Sequence, residues 1–191
     1  AARVSRDSGA SWTYCDRNIG AGADGSENGY QAANAGAATV DPLPLNPAAG
    51  ELVINEVMVA SQSGSSDDGE WVELYNPSTT ITYDIGGCSI SDGTTSHVIN
   101  TSVLVPPGDY VVLGRSIDSV ANFGATVDYA YGTVFAFNNG GENVIFSCGG
   151  NTVDELKSST ETLGYPATWG ATATFGTSYQ LDPSARNAST N

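Results

Sequence analysis

Residues 67–76 read DDGEWVELYN, and the WVELY within them alternates: Trp71, Glu73 and Tyr75 fall on one side of an extended chain, Val72 and Leu74 on the other. A period of two predicts a half-buried strand. The same signal recurs upstream over residues 52–59 and downstream over 81–90, 97–100, 110–113, 134–137, 143–147, 152–156 and 178–181, each stretch bounded by Gly, Pro, Asn or Asp. No stretch carries a convincing amphipathic helical period. Eight or nine short strands, with turns such as Pro106-Pro107-Gly108 and Asn138-Asn139-Gly140-Gly141, predict an all-β chain folded as an immunoglobulin-like β-sandwich.

Composition agrees with that fold class. Of 191 residues 40% are hydrophobic and 14% charged, with 23 Gly, so the polar surface comes from Ser, Thr and Asn rather than from the Lys and Glu of soluble helices. The length suits one core plus an extension. A net charge of −15 repels phosphate backbones and anionic headgroups, which argues against nucleic acid as a partner. No run approaches the roughly 18 apolar residues of a spanning helix, so membrane insertion is not expected. No signal peptide opens the chain; the expectation is an extracellular or cell-surface protein whose export signal has already been removed.

The expected organisation is an N-terminal arm or exchanged closing strand over 1–15, a Gly/Ala/Pro-rich linker over 16–50 and a sandwich over 51–191. The linker ends in DPLPLNP at 41–47 and lacks any sustained period; fully stretched, its 35 or so residues would span roughly 100 Å. Cys15, Cys88 and Cys148 are an odd number without zinc-ligand spacing. Cys88 with Cys148 closes a loop of about 60 residues, worth on the order of 4 kcal/mol in the loop-entropy model, and Cys15 with Cys148 is the equal alternative. Sequons stand at Asn100 and Asn187.

Six blocks in order, VINEV at 53–57, DDGEWVELYN at 67–76, GGCSISDG at 86–93, PPGDYVVL at 106–113, NGGENVIF at 139–146 and GNTVDEL at 150–156, resemble the lamin tail domain in its bacterial secreted form. The resemblance spans residues 52–182. It implies an immunoglobulin-like sandwich used for tethering, scaffolding or surface attachment, and no catalysis. Where many members carry Trp, this chain has Cys88, which suggests a covalent clamp or a smaller core residue. The closing polar stretch with Trp and Cys that ends such domains is not found after residues 178–183 and is resembled by RDSGASWTYC at 6–15. Trp12, Tyr14 and Cys15 are therefore expected to assemble the chain head-to-tail with copies of itself, as a filament or surface array. The competing reading makes 1–15 the trailing end of a preceding domain.

Other residue groups admit several readings. In SSDDGE, Asp67, Asp68 and Glu70 offer hard oxygen ligands for calcium, as do Asp24 and Glu27, against the plainer reading of solvated turns. His97 is the only histidine, which argues for a structural hydrogen bond over a catalytic triad. Glu56 and Glu73 have the chemistry of an acid/base pair, but the resemblance places them in structural blocks, as hydrogen-bond acceptors between strands, and Asn76 is read as structural too. Trp71, Tyr75, Tyr110, Phe135, Phe137 and Phe146 sit on strand patterns as core residues or cross-strand pairs; Trp12, Tyr14, Trp169 and Phe175 do not. A platform of exposed aromatics for glycans, in an adhesion or carbohydrate-binding module, is the alternative function.

Overall fold

The computed structural model describes residues 3–6, 12–15, 45–61, 68–139, 143–157 and 175–185. The chain divides into two units, Ala1–Asp41 and Pro42–Asn191. In the first, β1 (Arg3–Arg6) pairs antiparallel with β2 (Trp12–Cys15).

The second unit is an all-β, immunoglobulin-like sandwich. Its strands are β3 (Val53–Met58), β4 (Trp71–Tyr75), β5 (Tyr83–Asp84), β6 (Ser89–Ser91), β7 (Ser96–Val98), β8 (Leu104–Val105), β9 (Tyr110–Gly114), β10 (Tyr129–Ala130), β11 (Val144–Cys148), β12 (Asn151–Leu156) and β13 (Tyr179–Gln180). One sheet runs β10-β9-β4-β3-β13, the other β12-β11-β6-β7, and β5 pairs with β8 in a small ribbon. Only the β10 and β9 pair among these is parallel.

Alternation sets what each sheet buries. Val72 and Leu74 of β4 join Ile54, Val57, Val111 and Leu113 from neighbouring strands, and meet Ile90, Val144, Phe146 and Leu156 from the other sheet in one core. Each such side chain contributes roughly 1.5–3 kcal/mol on leaving water. Glycine chemistry fixes two of the turns. Gly108, at φ 73°, takes the third position of the turn closed by the Asp109 N–H donating to the Pro106 carbonyl. Gly149 and Gly150, both at positive φ, make the two-residue hairpin between β11 and β12.

The expected strands need several corrections. Residues 81–90 are not one strand: β5 ends at Asp84, the chain turns at Gly86 and Gly87, and β6 starts in a different sheet. Residues 134–137 form no strand; Phe135 and Phe137 instead pack with Tyr131 as a stacked and edge-on aromatic group. The sandwich also begins before residue 51, because Leu45 bridges to Tyr83 and the Asn46 amide donates to the Asp84 and Gly86 carbonyls. The turn at Asn138 to Gly141 lies partly outside the described residues.

Candidate interaction surface

The proposed anchor residues Trp12, Tyr14 and Cys15 all fall on β2, with Arg6 opposite Trp12, Val4 opposite Tyr14 and Arg3 opposite Cys15. The sequence expectation treated this run as a single spare strand. It already has a partner, because the preceding RVSR is itself extended, so the arm offers a two-stranded ribbon.

Of the two cysteine pairs expected, Cys88–Cys148 forms, which excludes Cys15 with Cys148. The reason lies in the register of β11 against β6: Ser147 faces Ser89, which brings Cys148 beside Cys88 across adjacent strands in the core. Cys88 is thus the covalent clamp rather than merely a small core residue.

Glu56 and Glu73 are directly opposite on β3 and β4. Like charges so placed repel. The carboxylates are held by separate donors: the Asn55 amide donates to Glu73 Oε1, and the Ser178 hydroxyl to Glu56 Oε1. Asn55 is available for this because it is the extra residue of a β-bulge, where the register steps from Ile54 opposite Leu74 to Glu56 opposite Glu73. The Ser178 bond ties the segment leading into β13 to β3.

Asn76 is fully buried, and its amide nitrogen donates to the carbonyls of Ile81 (2.8 Å), Val105 (2.8 Å) and Pro106 (3.0 Å), while its Oδ1 accepts from the Ser78 N–H. One side chain therefore ties the loop after β4 to the end of β8 and to the turn that follows it. His97 lies on β7 with Nε2 2.8 Å from Tyr129 Oη, and Tyr129 also accepts from the Asn100 N–H at 3.2 Å. Burial lowers the His97 pKa from its ordinary value. Asp84, which the sequence reading did not single out, is a second organiser: burial alone would raise its pKa, but N–H groups of Gly86 and Val103 and the Ser102 hydroxyl outweigh this and lower it.

Of the calcium candidates, Asp67, Asp24 and Glu27 lie outside the described residues, as does Trp169. Asp68 and Glu70 face a guanidinium: Arg115 Nε is 3.5 Å from Asp68, and its Nη1 3.8 Å from Glu70. Glu70 is fully buried, not solvated as the plainer reading had it, and also accepts from the Phe137 N–H at 3.1 Å. Arg115 is 45 residues along the chain, beyond what local spacing reveals. Among the described residues, no three His, Cys, Asp or Glu side chains converge. Phe175 is exposed, whereas Trp71, Phe135, Phe137 and Phe146 are buried; Tyr75 and Tyr110 form a cross-strand pair with ring centroids 4.7 Å apart.

The model of one family, the lamin tail domain, matches residues 46–160, more than half of the chain. No curated protein sequence matches it.

Proposed function

The chain belongs to the lamin tail domain family, and from that premise we propose that it is an extracellular structural subunit that assembles head-to-tail through its N-terminal arm. The observation carrying this reading is the division of properties between the two units. The sandwich has closed its own pair of cysteines and is strongly acidic. The arm holds the third cysteine and two aromatics on a separate strand ribbon, in a segment with two arginines and one aspartate. A contact between an arm and a body that differ in charge is heterologous, and it propagates when its rotation does not close.

Two further observations support the setting. A disulfide in the core suits an oxidising compartment. No helix among the described residues is long and apolar enough to cross a membrane. The family is not a catalytic one, and the role proposed needs no chemistry.

Negative-stain electron microscopy of the intact chain tests the proposal: linear end-to-end particles are expected, and a field of single compact particles at high concentration would argue against it. A second reading, an adhesion or carbohydrate-binding module, draws on Tyr110, which is 43% exposed on the outer face of its sheet beside Tyr75. Titration calorimetry against soluble oligosaccharides separates the two, since heat that disappears in Tyr110→Ala favours the glycan reading.

A further inference from the structure

Four of the nine exposed large apolar side chains among the described residues lie on two segments that meet at one end of the sandwich. There Ile117 is 74% exposed, Val120 84%, Phe123 51% and Phe175 62%. A chain of contacts places the segments that carry them together. The Gly176 N–H donates to the Ala60 carbonyl at 2.8 Å, and the Gly69 N–H to Ser61 Oγ at 3.2 Å. A Cβ on Gly69 would lie 2.0 Å from the Ala121 carbonyl oxygen, so the loop after β9 rests flush on residue 69. The Arg115 N–H then donates to the Glu70 carbonyl at 2.9 Å, fixing the start of the same loop.

This loop has a defined shape. The buried Asn122 donates its amide to the Ser116 carbonyl at 2.7 Å, the Val120 N–H donates to Asp118 Oδ1 at 2.9 Å, and the Gly124 N–H donates to the Ser119 carbonyl at 2.8 Å. Phe123 has φ 55°, a left-handed conformation in which an L side chain is uncommon. The fold therefore holds an aromatic where glycine would be the easier residue. Apolar groups already fixed in place lose little freedom when a partner covers them, the property of a contact surface rather than of a solvated loop.

We propose that this apolar end receives the β1–β2 ribbon of a second copy. The inference rests on the head-to-tail reading above and names its landing surface. Charge selects the occupant. Residues 1–15 hold Arg3 and Arg6 against Asp7, a net charge of +1, whereas residues 42–191 hold three basic residues against 16 acidic ones. Acidic side chains stand beside the apolar loop: Asp118 is exposed and Asp68 is 44% exposed. Trp12 and Tyr14 are the residue types that most often dominate such contacts, and they share the ribbon with both arginines.

The test uses the full chain with Trp12→p-benzoylphenylalanine, mixed from isotopically heavy and light preparations, irradiated and mapped by mass spectrometry. Links joining heavy to light chains at residues 115–125 or 175–178 are expected. They should fall about tenfold in Val120→Asp/Phe123→Asp, the loss that accompanies removal of a central apolar contact. They should persist in Val98→Asp, which alters an exposed apolar residue on β7. Unchanged melting temperatures would show that the variants fold. Heavy-to-light links mapping elsewhere would overturn this surface and leave the arm reading standing. Links confined to chains of one isotope would overturn both. Monomers that instead sediment with phosphatidylcholine vesicles through Phe123 would overturn it in favour of a lipid surface.

Discussion

His97 Nε2 lies 2.8 Å from Tyr129 Oη, and this contact joins β7, the last strand of one sheet, to β10, the last strand of the other. The opposite side of the sandwich is closed differently, by Asp154 accepting from the Ile54 N–H and by the Gly50 N–H donating to the Val153 carbonyl. Isolated hydrogen bonds thus do at both margins what a continuous ladder would do in a closed barrel.

Acid should weaken the fold through this contact. The His97 pKa is lowered by burial, so as pH falls below about 6.5 the unfolded chain takes up the proton before the folded one does. Stability present above that value is lost as pH drops towards the folded-state pKa. Melting temperature should decline from pH 6.5 downward, and less steeply in His97→Gln. An identical slope in the two proteins would remove His97 from the account.

Tyr129→Phe leaves the ring and takes away the hydroxyl that serves His97 and Asn100. A loss of about 1 kcal/mol is expected, read as a shift of the urea midpoint at unchanged slope.

Asn76→Ala strands the carbonyls of Ile81, Val105 and Pro106 and the Ser78 N–H in or near the interior. At least about 3 kcal/mol should be lost by urea unfolding, more than for removal of any single exposed hydrogen bond. A loss below 1 kcal/mol would mean that water replaces the amide.

Reduction of Cys88–Cys148 opens a loop with a sequence separation of 60. The loop-entropy estimate is about 4 kcal/mol, so the Cys88→Ser/Cys148→Ser chain should melt well below the oxidised protein.

Gly69→Ala is expected to cost about 2 kcal/mol or more, because its Cβ meets the Ala121 backbone oxygen at 2.0 Å and Ser61 Cβ at 2.7 Å, and backbone cannot rotate away. Differential scanning calorimetry reads the effect directly.

How much of this was legible in the residues follows from how local each signal is. WVELY states its own strand and its own inward face, and PPG states its own turn, so the sandwich was readable. Residues 81–90 misled because a run of apolar and polar residues does not declare that Gly86 and Gly87 pass it from one sheet to another. The cysteine pairing stayed open because it depends on the register of β11 against β6, which no single strand encodes. Arg115 was invisible as the partner of Asp68 and Glu70, since only the placement of β9 beside β4 brings it there. Glu56 and Glu73 were recognised as acceptors, but their donors, Asn55 in a bulge and Ser178 more than a hundred residues away, were not.

Sedimentation velocity across a concentration series, with the intact chain beside one lacking residues 1–15, addresses assembly through the arm most directly. The intact chain should sediment faster as concentration rises while the shortened chain remains a monomer. An intact chain whose sedimentation coefficient does not change with concentration, or a shortened chain that associates equally well, would contradict the proposal.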